Sequence, residues 1–344
     1  MTNGGICMPY RTVIIGAGSM GRRQIATVNN AEGFDLCGIS DLLPAALDLA
    51  RQAGAPQDCC FTDTELMLDK LQPECAIVST TADSHFTLAK LAVEKGVRLL
   101  LVEKPLCTSI KQAVDLQKLC REAGVRLAVN HSVRFDRYYQ QAIALARGKG
   151  MGPITGMTLV GGNMGIAMNV SHMLEFFRLL TGNPVRYVRC WMQDDPTPNP
   201  RGAKFHDGAG LVMAKNESGQ RFYADVSPDQ GHGMRIIIST RFAQLDFDVF
   251  IRKAIVSKRK TDQLNNPLTR YSSPFEVYEY ELEASPDTWV RSLEALGTGI
   301  DYPDGEVGER IVRSLVALWI SHESDNAVVD VNGSLPEERK FAWA

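Results

Sequence analysis

Three polar residues recur at intervals of three in the apolar stretch MNVSHMLEFF: Asn169, His172 and Glu175. On a helix of 3.6 residues per turn, such intervals keep side chains on neighbouring parts of one face. A histidine titrates near neutrality, so over a reacting hydroxyl it can take or return a proton. A second residue with that capacity is Lys104, in the run LLLVEKPL. It follows an apolar segment and precedes a proline, which restricts the backbone and is compatible with a cis bond. In a partly desolvated cleft a lysine can donate to a substrate hydroxyl or take its proton. Without context, the histidine reads equally as a hydrogen-bonded core residue and the lysine as a snorkelling loop side chain. The elements that carry them decide.

Continuously apolar runs occupy Arg11–Gly18, Phe34–Ser40, Cys75–Thr80, Val97–Val102 and Val125–Asn130. That is the pattern of parallel strands covered on both faces. Helical segments fall between them, at Ser19 to about Asn29, Ser84–Lys95 and Ser109–Ala123. The last two have a serine near the start and a glycine, Gly96 or Gly124, past the end, which suits N- and C-caps. The alternation specifies an α/β, doubly wound parallel sheet of Rossmann type, whose ligands lie at the carboxyl ends of the strands. Glu103, Lys104 and Pro105 emerge at that edge.

The fragment GAGSMG sits at the first strand-to-helix junction, with Gly16, Gly18 and Gly21 in G-x-G-x-x-G spacing. The first glycine permits the tight turn, the second lets a pyrophosphate approach the backbone, and the third lets helix and strand pack closely. Ser19 and Met20 open the helix, whose free N–H groups favour an anion. Asp41 ends the second strand about 20 residues beyond Gly21. A carboxylate there binds ribose hydroxyls and repels a 2′-phosphate. Neither Leu42 nor Leu43 supplies the arginine an NADP site wants, so NAD is expected ahead of NADP.

In these features the chain resembles the Gfo/Idh/MocA oxidoreductases, the glucose–fructose oxidoreductase and inositol dehydrogenase family. Four stretches carry the resemblance: VIIGAGSMGRRQ, CAIVSTTADSHFTLAKLAVEKGVRLLLVEKPL, NVSHMLEFFRLLTG and DGEVGERIVRSLVALWISHES. They span roughly Tyr10 to Val331, and Glu103-Lys104-Pro105 is the specific signature among them. The resemblance implies an NAD-dependent dehydrogenase that moves a hydride between nicotinamide and a secondary alcohol or ketone. The substrate class it implies is a sugar, sugar derivative, sugar nucleotide or cyclitol. It makes Lys104 and His172 the catalytic residues, with Arg134 and Asn169 beside them on the substrate. To Gly16, Gly18, Ser19, Met20, Gly21 and Asp41 it adds Thr80, Thr81, His85, Glu103, Lys104 and Asn130 as cofactor contacts.

Many members place an aspartate four residues before the histidine, where this chain has Met168. Asn169 can hydrogen-bond but brings no charge to raise the histidine's basicity. That departure keeps open a second reading, an NAD-binding regulator or scaffold of the same fold without turnover. A third is a reductase of a non-sugar carbonyl or imine. Glu175 fills a position that is often acidic in the family, and could instead pair with Arg178 one turn on.

After Asn130 the pattern changes. A helix at Arg137–Arg147 precedes strand-like runs at Ile154–Val160, Val185–Met192, Ala209–Ala214, Arg221–Val226, Arg235–Thr240 and Gln244–Phe250. Few helices interrupt them, which indicates an α+β domain with a large, open, mostly antiparallel sheet. The expected division is 1–131 for the Rossmann domain and 132–344 for substrate binding and oligomerisation, with a homodimer or homotetramer formed through the second sheet. Asp194–Gly202, with three prolines, reads as a loop. Arg252–Lys260 reads as a solvated edge or turn, and His206, Asp207 and His232 as solvated loop residues.

The totals agree with two soluble globular domains: 344 residues, 44% apolar and 22% charged. A net charge of −3 without a basic block gives no footing to a nucleic-acid partner. No apolar run approaches the length of a membrane span, and the opening MTNGGICMPYRTVIIGAG lacks the pattern of a signal peptide. None of the eight cysteines forms a Cys-x-x-Cys pair. No metal is therefore expected, and reduced thiols in a cytoplasmic protein are.

Overall fold

The computed structural model describes residues 8–162, 164–193, 199, 201–270 and 274–343. Of the loop expected at 194–202, residues 194–198 and 200 lie outside the described residues. The chain divides into two compact units.

In the first unit six parallel strands are ordered β3-β2-β1-β4-β5-β6. They are β1 (Tyr10–Ile15), β2 (Phe34–Ser40), β3 (Cys60–Phe61), β4 (Cys75–Val78), β5 (Leu99–Val102) and β6 (Arg126–Val129). The order reverses direction at β1 and β4, which places a ligand crevice beyond their carboxyl ends. Ile15 pairs with Ser40 on one side and Val78 on the other, so these three strands end level. Every residue of β4 and β5 is buried, which explains their unbroken apolar sequence. Helices α1 (Ser19–Asn30), α2 (Pro44–Gln52), α3 (Thr64–Leu71), α4 (Ala82–Glu94) and α5 (Ile110–Glu122) connect the strands.

Ser109 caps α5 as expected, its side chain accepting from Gln112 N at 3.3 Å. The α4 cap differs. Thr81 holds the cap position, and Ser84, inside the first turn, donates to the Thr81 carbonyl at 2.9 Å. Gly96 and Gly124 follow their helices at φ +88° and +67°, where only glycine is unstrained.

The second unit holds a nine-stranded sheet in the order β14-β13-β12-β11-β7-β10-β9-β8-β15. Its strands are β7 (Ile154–Val160), β8 (Tyr187–Met192), β9 (Gly210–Lys215), β10 (Arg221–Asp225), β11 (Arg235–Thr240), β12 (Ala243–Asp248), β13 (Lys253–Arg259), β14 (Phe275–Glu281) and β15 (Val329–Asp330). β7 and β10 run parallel and the other pairs antiparallel. Of the solvated edge or turn expected at Arg252–Lys260, the turn is corrected: Lys253–Arg259 form β13, next to the marginal strand β14 and paired with it along its length. Exposed Lys253 and Ile255 alternate with buried Ala254 and Val256, while Arg259 at the strand's end is buried and donates to loop carbonyls such as that of Asn266 at 3.1 Å.

Helices α6 (Arg137–Ala146) and α7 (Ser171–Thr181) belong to this unit. The rings of Tyr139 and Phe176 lie 4.8 Å apart, and Phe176 meets Phe247 of β12 edge-on at 6.3 Å. Phe177 meets Phe222 of β10 at 5.8 Å. These buried aromatics fix α7 against the sheet.

The chain does not fall into two sequential blocks. It returns to the first unit at Asp287–Val312 and again from Glu337 onward. The reason lies in α8 (Thr288–Thr298), whose Leu293 and Leu296 are fully buried in one cluster with Ile14, Val28 and Ile77. The first of these returning segments ends within α9 (Gly305–Glu323).

Candidate functional site

At the β1–α1 junction Gly16 adopts φ +102°, and a Cβ on it would lie 2.8 Å from Thr80 Cγ2. A Cβ on Gly21 would come within 1.9 Å of the Gly16 carbonyl oxygen. Both positions therefore require glycine, one for the turn and one for close packing of α1 on the loop. Gly18 is different. Among the described residues no atom lies within 4 Å of where its Cβ would stand. The loop is bare at the glycine over which the motif places a pyrophosphate. Gly18 is also the N-cap of α1, no side chain caps that end, and its first turn has no acidic residue, so Ser19 and Met20 open an uncompensated positive end.

Asp41, at the end of β2, is half-buried. Its Oδ2 accepts from Ala17 N at 2.7 Å and its Oδ1 from Leu43 N at 2.9 Å. The carboxylate is thus locked beside the glycine loop. Leu42 and Leu43 are 85% and 65% exposed and offer no cation to a 2′-phosphate. Arg22, which sequence reading did not single out, donates from Nη1 to the Ala17 carbonyl at 3.0 Å.

The loops after β4, β5 and β6 meet at the same edge. Glu103 is buried, and its Oε1 accepts from Asn130 Nδ2 at 2.7 Å and Gln24 Nε2 at 3.2 Å. Burial pushes its carboxyl above the usual carboxylate range, against the bond from Asn130 and the charge of Lys104, which pull it down. Lys104 follows, half-buried, and its bond to Pro105 is cis. His85, inside α4, is 1% exposed, with Nδ1 2.9 Å from the Pro105 carbonyl and Nε2 3.1 Å from the Thr80 carbonyl. Burial lowers its pKa. The imidazole therefore lies between the turn that carries Lys104 and the turn that carries Thr80, and in its neutral form it donates to one of the two carbonyls. Thr81 spends its hydroxyl on Asp83 Oδ1 at 2.6 Å.

These residues fit a bound dinucleotide. Besides the bare glycine and the open helix end, three buried polar atoms lack a hydrogen-bond partner among the described residues: Gln24 Oε1, Ser79 Oγ and Asn130 Oδ1. Buried orphans of this kind call for a partner from outside the chain. The sequence motif gave no sign of Gln24 or Ser79.

In the second unit His172 lies in the first turn of α7. The helix is entered through a π-type turn, Ile166–Val170, which contains Asn169. The uniform 3.6-residue spacing expected for Asn169, His172 and Glu175 therefore holds from His172 onward and is widened before it. Glu175 does not face solvent. It is fully buried and accepts from Arg178 Nε and Nη2, both at 2.7 Å, and from Arg134 Nη2 at 3.1 Å. Glu175 is thus the centre of an arginine–carboxylate–arginine triad.

Asp207 corrects another expectation. It is half-buried rather than a solvated loop residue, and its two carboxylate oxygens accept from Ala167 N and Met168 N, each at 2.7 Å. A Cβ on Gly165 would stand 2.0 Å from Asp207 Oδ2, so that glycine makes room for the carboxylate. Asp207 caps the turn from which His172 follows. His206 is exposed, and exposed His232 faces Gly233 O and Gln230 Oε1 at 2.9 and 2.8 Å.

The first unit thus assembles Gly16, Gly18, Ser19, Met20, Gly21, Asp41, Thr80, Thr81, His85, Glu103, Lys104 and Asn130 at one sheet edge. The second unit carries Arg134, Asn169 and His172.

Residues 10–131 match the family described as the Gfo/Idh/MocA oxidoreductase family with an NAD-binding Rossmann fold. An uncharacterized protein of Sinorhizobium fredii is 31% identical over 136 residues, 38% of this chain and 37% of that protein. A D-apiose dehydrogenase of Paraburkholderia graminis is 24% identical over 234 residues, 63% of this chain and 60% of that enzyme. The matches thus span 37% and 60% of the two relatives' lengths, under two thirds in each case. Among solved structures, an inositol dehydrogenase homolog from Azotobacter vinelandii, complexed with NADH and myo-inositol, superposes with a TM-score of 0.75 at 17% identity. That likeness covers 94% of this chain and 98% of the other, and it shows a shared fold across both units. Residues 10–131, which hold the glycine loop and the Glu103-Lys104-Pro105 turn, match the Gfo/Idh/MocA oxidoreductase family and its NAD-binding Rossmann fold.

Proposed function

We propose that the protein is an NAD-dependent dehydrogenase that moves a hydride between nicotinamide and a secondary alcohol or ketone of a sugar, sugar derivative, sugar nucleotide or cyclitol. The observation that carries this reading is the carboxyl edge of the first sheet, which holds a bare glycine loop, a locked Asp41 and, after β5, Lys104. The D-apiose dehydrogenase and the inositol dehydrogenase homolog support the polyol class.

Bound NAD supplies the hydride acceptor. The chain's own residues do the rest. Gly16, Gly18 and the open end of α1 take the pyrophosphate, and Asp41 takes the ribose hydroxyls. Lys104 holds the reacting hydroxyl and receives its proton through Nζ, while buried Glu103, fastened by Asn130 and Gln24, fixes the backbone from which Lys104 projects. His172, in the second unit, is the second acid/base. Asp207 and the Glu175 triad fix its helix.

The test is a titration of NAD(H) followed by a panel of sugars, sugar nucleotides and cyclitols, read by NADH absorbance. Lys104→Ala is expected to lower kcat by about 10²- to 10⁴-fold with NAD affinity kept. No NAD(H) binding, or an unchanged kcat in Lys104→Ala, overturns the reading. Tight NAD binding with no turnover across the panel favours a cofactor-binding regulator.

A homodimer or homotetramer through the second sheet is part of the proposal. Leu211, Met213, Tyr223 and Ile255 are 37–45% exposed and alternate with buried neighbours, so they share the sheet's open face. Analytical ultracentrifugation reads the outcome, and a monomer would refute it. No helix among the described residues is long and apolar enough to cross a membrane.

A further inference from the structure

We propose that the segment Glu337–Trp343 sets the position of Lys104, with Trp343 as the positioning residue. This inference rests on the reading of Lys104 as the group that handles the substrate proton.

The five residues from Leu106 to Ile110, which join the Lys104–Pro105 turn to α5, are at most 3% exposed. A buried backbone must place its carbonyl oxygens on donors. Two of the donors come from a stretch more than 200 residues further along the chain. Trp343 Nε1 donates to the Cys107 carbonyl at 3.2 Å, and Phe341 N donates to the Thr108 carbonyl at 2.9 Å. In the other direction, Lys111 N donates to the Glu337 carbonyl at 2.8 Å. The segment thus runs alongside residues 107–111 and fastens them at three points. From the opposite side the buried ring of His85 packs against the same turn, with Nδ1 2.9 Å from the Pro105 carbonyl. Lys104 is therefore the residue before a short span whose path is fixed from two sides.

Trp343 is built into the protein as more than filler. It is 0% exposed, and its ring stacks on Phe341 with centroids 4.8 Å apart and planes 6° from parallel. Stacking orients the indole, and the orientation aims its N–H at Cys107 O. The carbonyl so held lies three residues from Lys104. Packing alone would be served by any large apolar side chain, whereas this ring also satisfies a buried main-chain acceptor. A displacement of about 1 Å at a reacting group can cost on the order of a hundredfold in rate. A clamp three residues away is within range to cause it.

Trp343→Phe keeps a buried aromatic and removes the donor. The expected result is a fall in kcat of about tenfold or more, with NAD affinity by fluorescence titration unchanged and the Lys104 limb of the pH–rate profile displaced. The decisive measurement is the cycle with Lys104→Ala. If Trp343 acts through Lys104, Trp343→Phe has no further effect on kcat once Lys104 is gone. Should Trp343→Phe not fold, Phe341→Leu carries the same cycle. It loosens the stack, keeps the main-chain donor, and is expected to give a smaller loss that also vanishes without Lys104. An unchanged kcat in both variants, or equal losses with and without Lys104, overturns the inference and leaves the dehydrogenase reading standing. An unchanged kcat in Lys104→Ala itself overturns that reading instead.

Discussion

Glu175→Gln tests the arginine–carboxylate–arginine triad directly. The substitution keeps the shape of the side chain and removes its charge. Glu175 is 0% exposed, and its partners Arg134 and Arg178 are 11% and 23% exposed. Removing one partner of a buried ion pair costs about 3–5 kcal/mol, because the remaining charge stays buried without compensation. Arg178 keeps some contact with water, which screens part of that penalty, so the lower end applies, about 3 kcal/mol. The second unit has roughly 180 residues, and at that size each kcal/mol moves the melting point by about 2–4 °C. The expected shift is therefore a fall of about 6–12 °C, read by circular dichroism melts, with a matching drop in the urea midpoint. Below the melt, the KM for substrate should stay near wild type, since the carboxylate is spent on arginines. A shift of about 2–4 °C or less corresponds to about 1 kcal/mol, the range of an exposed pair. That result would refute the treatment of the triad as buried, and a large rise in KM at full stability would move Glu175 into substrate contact.

Three further outcomes follow from the geometry. Gly18→Ala meets open space and should leave stability within about 0.5 kcal/mol while lowering NAD affinity, whereas Gly21→Ala drives a methyl into the Gly16 carbonyl and should lower both. Equal melting points for the two variants would refute this. Asp207→Ala frees two main-chain N–H groups at the turn before His172 and should cost about 0.5–2 kcal/mol. A neutral melting point in that variant would show that the cap is dispensable. Glu103 keeps its proton in the folded state to a higher pH than the ordinary value of 4.5. Unfolded protein releases that proton first, so this group's contribution to stability is full below the ordinary range and declines as pH rises through the raised value. Glu103→Gln should remove that decline from a plot of urea midpoint against pH, and identical slopes in the two proteins would contradict the assignment.

The sequence is most legible where structure is local and buried. β2 and β7 run over the residues their apolar patterns indicate, and Gly16, Gly18 and Gly21 act as the spacing requires. The pairing of Glu175 with Arg178 was open to reading from one helical turn. Its second arginine, Arg134, comes from 41 residues away and was not. Asp207 shows the same limit: a cap some 40 residues distant leaves no trace in the local sequence of the helix it caps. β13 and β14 escaped because strands toward the sheet's margin carry charged and tyrosine side chains on partly open faces, which blurs their alternation. The π-type turn before His172 has no simple periodic signature, since one extra residue in a turn shifts the phase of everything before it.

The return of the chain to its first unit bears on how the protein is made. Synthesis releases β1 to β6 early, but Leu293 and Leu296, which complete their core, arrive more than 150 residues later. The second unit waits in turn for β15, which pairs Val329 with Val188. Neither unit can close its hydrophobic interior while only its opening segment has left the ribosome. Contacts of such long sequence separation slow folding and prolong the exposure of apolar strands. Chaperone binding to the nascent chain should therefore persist until both α8 and β15 have emerged, and release should follow the burial of those two leucines and the pairing of Val329.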